Sequence, residues 1–263
     1  MRERYIFTGT LICKTGLHVG SGKGAAHTDA TVMTDSDGRP FIPGSSLKGA
    51  MRSAVERIGQ VLNHTGKFTS CLLFENNAQV QCVTCNEDLR NTYESMREQG
   101  RSEQELWDYL QRHLCDTCKV FGSPYYASKV RITDAHWVNG HPPVVRDGVG
   151  IDRDTETAAE NIKFDFEVIP PGGQFKFEMI VEDPDEKDLG LVCLALREME
   201  LEGIRLGGIK SRGLGKVQLK LDEHVIKVDF TDPAKLLNYL LKGQGEPLKA
   251  KELIDNHVRQ LLQ

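Results

Sequence analysis

The chain has 263 residues, and its 33 lysines and arginines against 38 aspartates and glutamates give a formal net charge of -5. This sum does not favour a nucleic-acid-binding domain as the first interpretation. A composition of 39% hydrophobic and 27% charged residues excludes a disordered or fibrous chain. The sequence has neither a run of eighteen apolar residues nor a signal-peptide pattern, so we expect a cytoplasmic protein without membrane contact.

Hydrophobic periodicity predicts an alternation of strands and helices along the chain. In chain order, the predicted elements are a strand at 4–13, a helix at 47–62, a polar helical run at 87–114, strands at 130–138 and 164–181, a helix at 186–201, a strand at 216–221 and helices at 232–242 and 247–262. Residues 139–163 are predicted to be a loop, and the turn Pro170-Pro171-Gly172-Gly173 interrupts the strand region at 164–181. Without the insertion at 63–128, the order is βαββαβ. It predicts an α+β, ferredoxin-like palm, an antiparallel four-stranded sheet with two helices on one face.

The net charge conceals an uneven distribution along the sequence. Residues 1–60 carry +3 and residues 203–222 carry +4, whereas residues 164–202 carry -8. Both basic segments are rich in glycine. If the fold brings them together, they form a local positive groove that suits a polyanion.

Two basic motifs are candidates for phosphate binding. The loop GGIKSRGLGK at 207–216 lets a polyanionic backbone approach its main-chain N–H groups, with Lys210, Ser211, Arg212 and Lys216 beside it. The segment FIPGSSLKGAMR at 41–52 places Ser45 and Ser46 at a helix start and Lys48 and Arg52 on one helix face. The alternatives are a plain turn for the loop, and a capped helix with a solvated face for the second motif.

These two motifs, together with TGLHVGSG at 15–22, resemble the RAMP superfamily of CRISPR-associated proteins over nearly all of residues 1–222. Within it, the chain is most similar to the repeated backbone subunit of type III effector complexes. The resemblance implies a single domain over 1–263 with an RNA-recognition-like palm that holds guide RNA (crRNA). It also implies a helical filament of copies and contacts with other type III subunits. It ties His18 and Gly20 to guide binding, and a structural histidine is the alternative for His18.

The resemblance also implies a catalytic role for Asp29. In subunits of this family that cut target RNA, an aspartate lies between the first two motifs, just before a short apolar stretch. This chain has Asp29 in that position. Cleavage of RNA by its own 2′-hydroxyl needs in-line geometry and a group that accepts a proton or binds a divalent ion, which we expect to be Mg or Mn. A solvated loop aspartate, such as Asp35 or Asp37, is the alternative.

Residues 142–163 correspond in position to the thumb of these subunits, a projecting hairpin that separates guide and target bases. Val144, Val145 and Val149 could supply an apolar wedge, and Arg146 and Arg153 could hold phosphates. A plain surface loop is the alternative. The two closing helices, at 232–262, have no predicted role.

Four cysteines in two C-x-x-C pairs predict a structural zinc site, because soft thiolates in such turns suit tetrahedral zinc. The predicted ligands are Cys82, Cys85, Cys115 and Cys118 in the insertion at 63–128, with Cys71 or His113 as a possible replacement for one of them. Cys13 and Cys193 lie in apolar elements and are predicted to be core residues. A redox pair is disfavoured, since neither C-x-x-C lies in a βαβ context.

The leading hypothesis is a crRNA-binding backbone subunit that also cleaves guide-paired target RNA as a metal-dependent endoribonuclease. One alternative retains the assembly role without catalysis. A second alternative is a guide-processing endoribonuclease of the same superfamily, which would use a histidine-centred acid-base site.

Overall fold

The computed structural model describes residues 2–24, 28–73, 75–76, 80–151, 154 and 158–263, without the side chains of 150, 151 and 158–163. The helices are α1 (Gly44–Leu62), α2 (Glu87–Glu98), α3 (Glu103–His113), α4 (Asp116–Phe121), α5 (Glu186–Leu201), α6 (Pro233–Lys242) and α7 (Ala250–Leu262). The strands are β1 (Glu3–Cys13), β2 (Phe41–Ile42), β3 (Val130–Ile132), β4 (Ala135–Asn139), β5 (Val144–Ile151), β6 (Ala158–Val168), β7 (Gln174–Glu182), β8 (Ile204–Arg205), β9 (Lys216–Leu221), β10 (His224–Asp229) and β11 (Glu246–Lys249). Within these described ranges, no helix combines the length and apolarity that a membrane crossing requires.

The centre of the fold is an antiparallel sheet built around β1. This strand pairs with β7 along most of its length and, on its other side, with β10 at its start and β9 at its end. Strands β3 and β4 add to the far side of β7. The order β9-β1-β7 followed by β3 and β4 is that of a ferredoxin-like sheet, and the predicted α+β palm is confirmed.

The core forms where the alternating strands meet α1 and α5. Successive side chains of β1 point to opposite faces, so Phe7 and Leu11 face inward and join Phe175 and Phe177 of β7. The capping box of Asp185 and Asp188 fixes the start of α5, and α7 packs against α5. Cys13 and Cys193 are fully buried in this core, as predicted, and burial raises the pKa of each thiol to about 12.

Several elements differ from the sequence prediction, which does not contain α4, β10 or β11. Periodicity predicts a loop at 139–163, whereas the family resemblance implies a hairpin at 142–163. The structure has most of a hairpin there, since β5 and β6 pair with each other outside the main sheet. The strand region at 164–181 is therefore divided between that hairpin and the sheet. The polar run at 87–114 is two helices, because Gly100 takes a φ of 68° and Ser102 caps α3 with a capping box.

Candidate nucleic-acid interface and metal centre

The two basic, glycine-rich segments meet, as the charge distribution suggested. The Gly208 N–H donates to the His18 carbonyl at 2.9 Å, and the Gly215 N–H donates to the Gly16 carbonyl at 2.7 Å. Gly207 has a φ of 73°, and a Cβ there would lie 1.9 Å from the His18 carbonyl oxygen. Only glycine fits this position, so the junction depends on it.

His18 is part of this junction and is not an exposed ligand group. Its side chain is buried, its Nδ1 lies 2.7 Å from the Glu167 carbonyl oxygen, and its ring meets Phe166 edge-on at 5.8 Å. A Cβ on Gly20 would lie 2.9 Å from the imidazole, so this glycine makes room for the ring. The geometry favours the structural alternative for His18, with Gly20 making room for its ring.

A cleft of about 770 Å³ lies between one face of α1, the end of α5 and the glycine loop. Ser46, Ser53 and Arg57 line it from α1 at helical spacing. Its remaining polar lining comes from Glu198, Glu202, Arg205, Lys210 and Lys216. The cationic side chains outnumber the carboxylates, which gives the cleft the sign that a phosphate backbone requires.

The start of α1 is only partly available to a phosphate. The Asp134 carboxylate already accepts the Gly44 N–H at 2.8 Å, and neither serine caps the helix. Ser45 and Lys48 lie outside the lining of the cleft, and Lys48 is half-buried. Burial, followed by the nearby charge of Arg52, lowers the pKa of Lys48. Of the residues predicted from this motif, Ser46 alone lines the cleft.

Arg52, predicted to bind RNA, is instead an internal residue. Only 6% of it is exposed. Its guanidinium donates to Glu56 Oε1 at 2.7 Å, to the Gly122 carbonyl at 2.5 Å and to Cys118 Sγ at 3.1 Å. Burial opposes its charge, yet the neighbouring Cys118 and Glu56 raise the pKa of Arg52 above its ordinary value. The donors of the Arg52 guanidinium are thus used inside the chain, which disfavours the predicted role of Arg52 in RNA binding.

Asp29 is exposed and lies beside β6. Its N–H donates to Asp165 Oδ1 at 2.7 Å, and the Asp165 N–H donates to Asp29 Oδ2 at 3.0 Å. The next residues continue this pairing, since the Glu167 N–H donates to the Ala30 carbonyl and its carboxylate accepts the Val32 N–H. The segment that carries Asp29 is thus attached to the hairpin at successive positions.

The base of the hairpin contacts the glycine loop through aromatic rings. Arg212 lies 5.5 Å above the Phe164 ring, and Phe164 stacks on Phe166 at 5.9 Å. Arg146 is exposed and lies near Gly16. Val144, Val145 and Val149 are exposed on β5, Lys210 and Ser211 are exposed on the glycine loop, and Arg153 lies outside the described residues.

The candidate metal centre contains three of the four predicted cysteines. The Sγ atoms of Cys71, Cys82, Cys115 and Cys118 are buried and lie within 4.8 Å of one another. Sulfur separations from Cys118 are 3.5 Å to Cys71 and 3.9 Å to Cys82, and Cys71 and Cys115 are 3.6 Å apart. A tetrahedron with Zn–S bonds of about 2.3 Å has edges of about 3.8 Å, so the four thiols fit zinc.

The predicted ligand set changes at one position, where Cys71 takes the place of Cys85. The Cys85 thiol is also buried, but it points to the Cys82 carbonyl oxygen at 3.7 Å, and burial raises its pKa to about 11. Within the cluster, hydrogen bonds from the Cys115 thiol lower the pKa of Cys82 and of Cys118. The deprotonated thiolate is the form of cysteine that binds a metal ion.

The three motifs and the sheet agree with the comparison to known proteins. The model of the RAMP superfamily matches residues 10–218, a range that runs from β1 into β9. The chain belongs to the RAMP superfamily. The resemblance seen in the motifs is thereby confirmed over most of the chain of this RAMP protein.

Two curated relatives of this RAMP protein carry the name CRISPR system Cms endoribonuclease Csm3. The one from Methanothermobacter thermautotrophicus is 28% identical over 252 residues, covering 83% of this chain and 84% of the relative. The one from Methanocaldococcus jannaschii is 27% identical over 238 residues, covering 84% of this chain and 80% of the relative. Both alignments therefore include most of each protein.

Sequence analysis did not identify several residues of the candidate site. Asp165 lies in a strand region with no motif, and only its spatial pairing with Asp29 reveals it. Arg205 of β8 lines the cleft from outside the glycine motif. Arg57 could have been found, because it lies four residues after Ser53 and eleven after Ser46 on one helix face.

Proposed function

We propose that this chain is a crRNA-binding backbone subunit of a type III CRISPR effector complex and a metal-dependent endoribonuclease that cleaves guide-paired target RNA. Its partners would be crRNA, target RNA, further copies of itself in a helical filament and other subunits of the complex. One observation carries the proposal: the exposed Asp29 carboxylate is fixed to the hairpin beside the joined glycine motifs. The names of the two relatives support the same activity.

The guide is assigned to the cationic cleft. Its lining by Arg57, Arg205 and Lys210 suits a single-stranded phosphate backbone, which needs charge without base specificity. The exposed valines of β5 would then contact bases, and Arg146 would lie close enough to Gly16 to hold a phosphate near the glycine junction.

Cleavage is assigned to Asp29, with the RNA 2′-hydroxyl as the nucleophile. The hydroxyl oxygen forms a bond to the adjacent phosphorus, and the bond to the 5′-oxygen breaks. The exposed Asp29 carboxylate accepts the hydroxyl proton, and the 5′-oxygen takes a proton from water. Carboxylate oxygen suits Mg or Mn, so Asp29 would hold the ion, which would neutralise charge on the phosphate.

Two observations favour this proposal over its alternatives. A catalytically inactive subunit needs no exposed carboxylate at this position, whereas Asp29 is exposed and held at two points. A guide-processing enzyme of the second kind would need an accessible histidine. His18, the histidine of the glycine junction, is buried with Nδ1 occupied.

The test is cleavage of matched target RNA by the reconstituted complex, with and without Mg or Mn. We expect regularly spaced products from the wild-type chain, with cleavage abolished and target binding retained in Asp29→Ala. Asp37→Ala is the matched control, since Asp37 is an exposed turn aspartate 64% open to solvent. Cutting by Asp29→Ala at the wild-type rate would refute the catalytic assignment.

A further inference from the structure

Arg52 occupies an unusual position for an arginine, between the metal centre and the palm. It extends from α1 and is buried, with Glu56 one helical turn away on the same helix. On its other side it reaches Cys118 Sγ and the carbonyl of Gly122, the residue that ends α4. One side chain therefore contacts a metal ligand, the end of the ligand-bearing helix and a helix of the palm.

The chemistry of the four-cysteine centre explains why a cation lies there. Four thiolates around a divalent ion leave a net negative charge in the protein interior, where an uncompensated charge is costly. A hydrogen bond from a charged donor is stronger than one from a neutral donor. Cys118 Sγ has a hydrogen bond of each kind. The charged Arg52 guanidinium donates to it at 3.1 Å, and the neutral Thr84 Oγ1 lies 3.3 Å from it.

Glu56 fixes the direction of this donor. Its Oε1 accepts Nε of Arg52 at 2.7 Å, while Nη1 and Nη2 remain for Gly122 and Cys118. The planar guanidinium is therefore held at all three nitrogens, and lysine could not reproduce this arrangement. Arg52 does not share the face of α1 that lines the cleft, which carries Ser53 and Arg57.

We propose that Arg52 is a positioning residue of the metal centre: it holds the Cys118 thiolate in place and fastens the cysteine-bearing insertion to α1. Loss of Arg52 should therefore weaken both metal retention by the insertion and the packing of the insertion against α1. This role concerns the folded chain alone and does not depend on the proposed RNA function.

The experiment uses the full chain and follows metal release. Zinc transfer to a chromogenic chelator is compared for wild type, Arg52→Gln, Arg52→Lys and Arg57→Gln. We expect Arg52→Gln to accelerate release on the order of tenfold to a hundredfold, the usual effect of losing a group that supports a metal ligand. The release rate of Arg52→Lys should lie between those of wild type and Arg52→Gln, and the rate of Arg57→Gln should match that of wild type.

A second measurement separates support of the thiolate from general stability. In cobalt-loaded protein, the thiolate-to-metal absorption band should shift in Arg52→Gln and keep its wild-type position in Arg57→Gln. If Arg52→Gln does not fold, Glu56→Gln replaces it, because this change removes the anchor of Arg52 and should also speed release. Release within twofold of wild type together with an unshifted cobalt band would overturn the proposal, as would a purified wild-type chain that binds no zinc or cobalt.

Discussion

Asp165 Oδ1 accepts the Asp29 N–H at 2.7 Å and Asp29 Oδ2 accepts the Asp165 N–H at 3.0 Å, although 136 residues separate the two in the chain. This reciprocal pair attaches the loop before Ala30 to β6 at the base of the hairpin. The position of the Asp29 carboxylate is thus set by the strand and not by its own loop alone.

Asp165→Ala should therefore lower target RNA cleavage about tenfold or more while target binding is retained. The change removes the acceptor of the Asp29 N–H, and small displacements of a catalytic group have effects of this size. Asp165→Asn should recover most of the rate, since its amide oxygen can still accept that bond. Single-turnover cleavage by the reconstituted complex measures both variants, and wild-type kinetics in Asp165→Ala would contradict the positioning role.

Alanine substitution at two glycines of the same loop should lower the stability of the chain by different amounts. Gly207 and Gly213 both have positive φ, which costs a residue with a Cβ about 1–2 kcal/mol. A Cβ at Gly213 meets open space, whereas at Gly207 it would lie 1.9 Å from a carbonyl oxygen. Thermal unfolding should show Gly207→Ala as clearly less stable than Gly213→Ala. Equal melting temperatures would mean that the two motifs do not meet as described.

Metal content distinguishes the two possible ligand sets. Cys71→Ser removes a thiol of the buried cluster, so the purified chain should lose its zinc and unfold at a lower temperature. Cys85→Ser should retain roughly one zinc per chain, because a structural site needs four ligands and the cluster supplies them without this residue. Elemental analysis of both proteins decides between them, and the opposite pattern would restore the set predicted from the sequence.

The cationic cleft predicts the salt dependence of guide binding. Lys210→Ala removes one charge from its lining, so the affinity for single-stranded guide RNA should fall. The slope of log affinity against log salt should decrease in magnitude by about 0.7. Lys251→Ala, an exposed lysine on α7, is the control and should leave the slope unchanged. A titration in potassium chloride measures it, and an unchanged slope in Lys210→Ala would place the guide elsewhere.

Local patterns were sufficient to predict the palm but not the partners of its strands. The alternation in β1 and the cap of α5 are short-range signals, and both elements form where the periodicity indicates. The alternation of Phe164, Phe166 and Val168 is equally compatible with pairing to β7 or to β5. Only the three-dimensional arrangement selects β5, and periodicity carries no information about that choice.

The same limit applies to the candidate site. Arg52 follows Lys48 by four residues, and this spacing on a helix describes a face without revealing what covers it. The insertion covers Arg52. Cys71 has no C-x-x-C partner, so the sequence prediction ranks it equally with His113. Its place in the cluster depends on how the insertion folds around α4.

The outline of the main sheet limits how copies of the chain can associate. Its outermost strands in the described structure are β2, β3, β8 and β11, none longer than four residues, and β11 contains Pro247. Short or proline-containing borders resist main-chain pairing with another molecule. In the filament proposed above, these borders would disfavour growth by extension of the main sheet. Association in that filament would then rely on contacts between side chains, which can differ at each end and so would give the filament a direction.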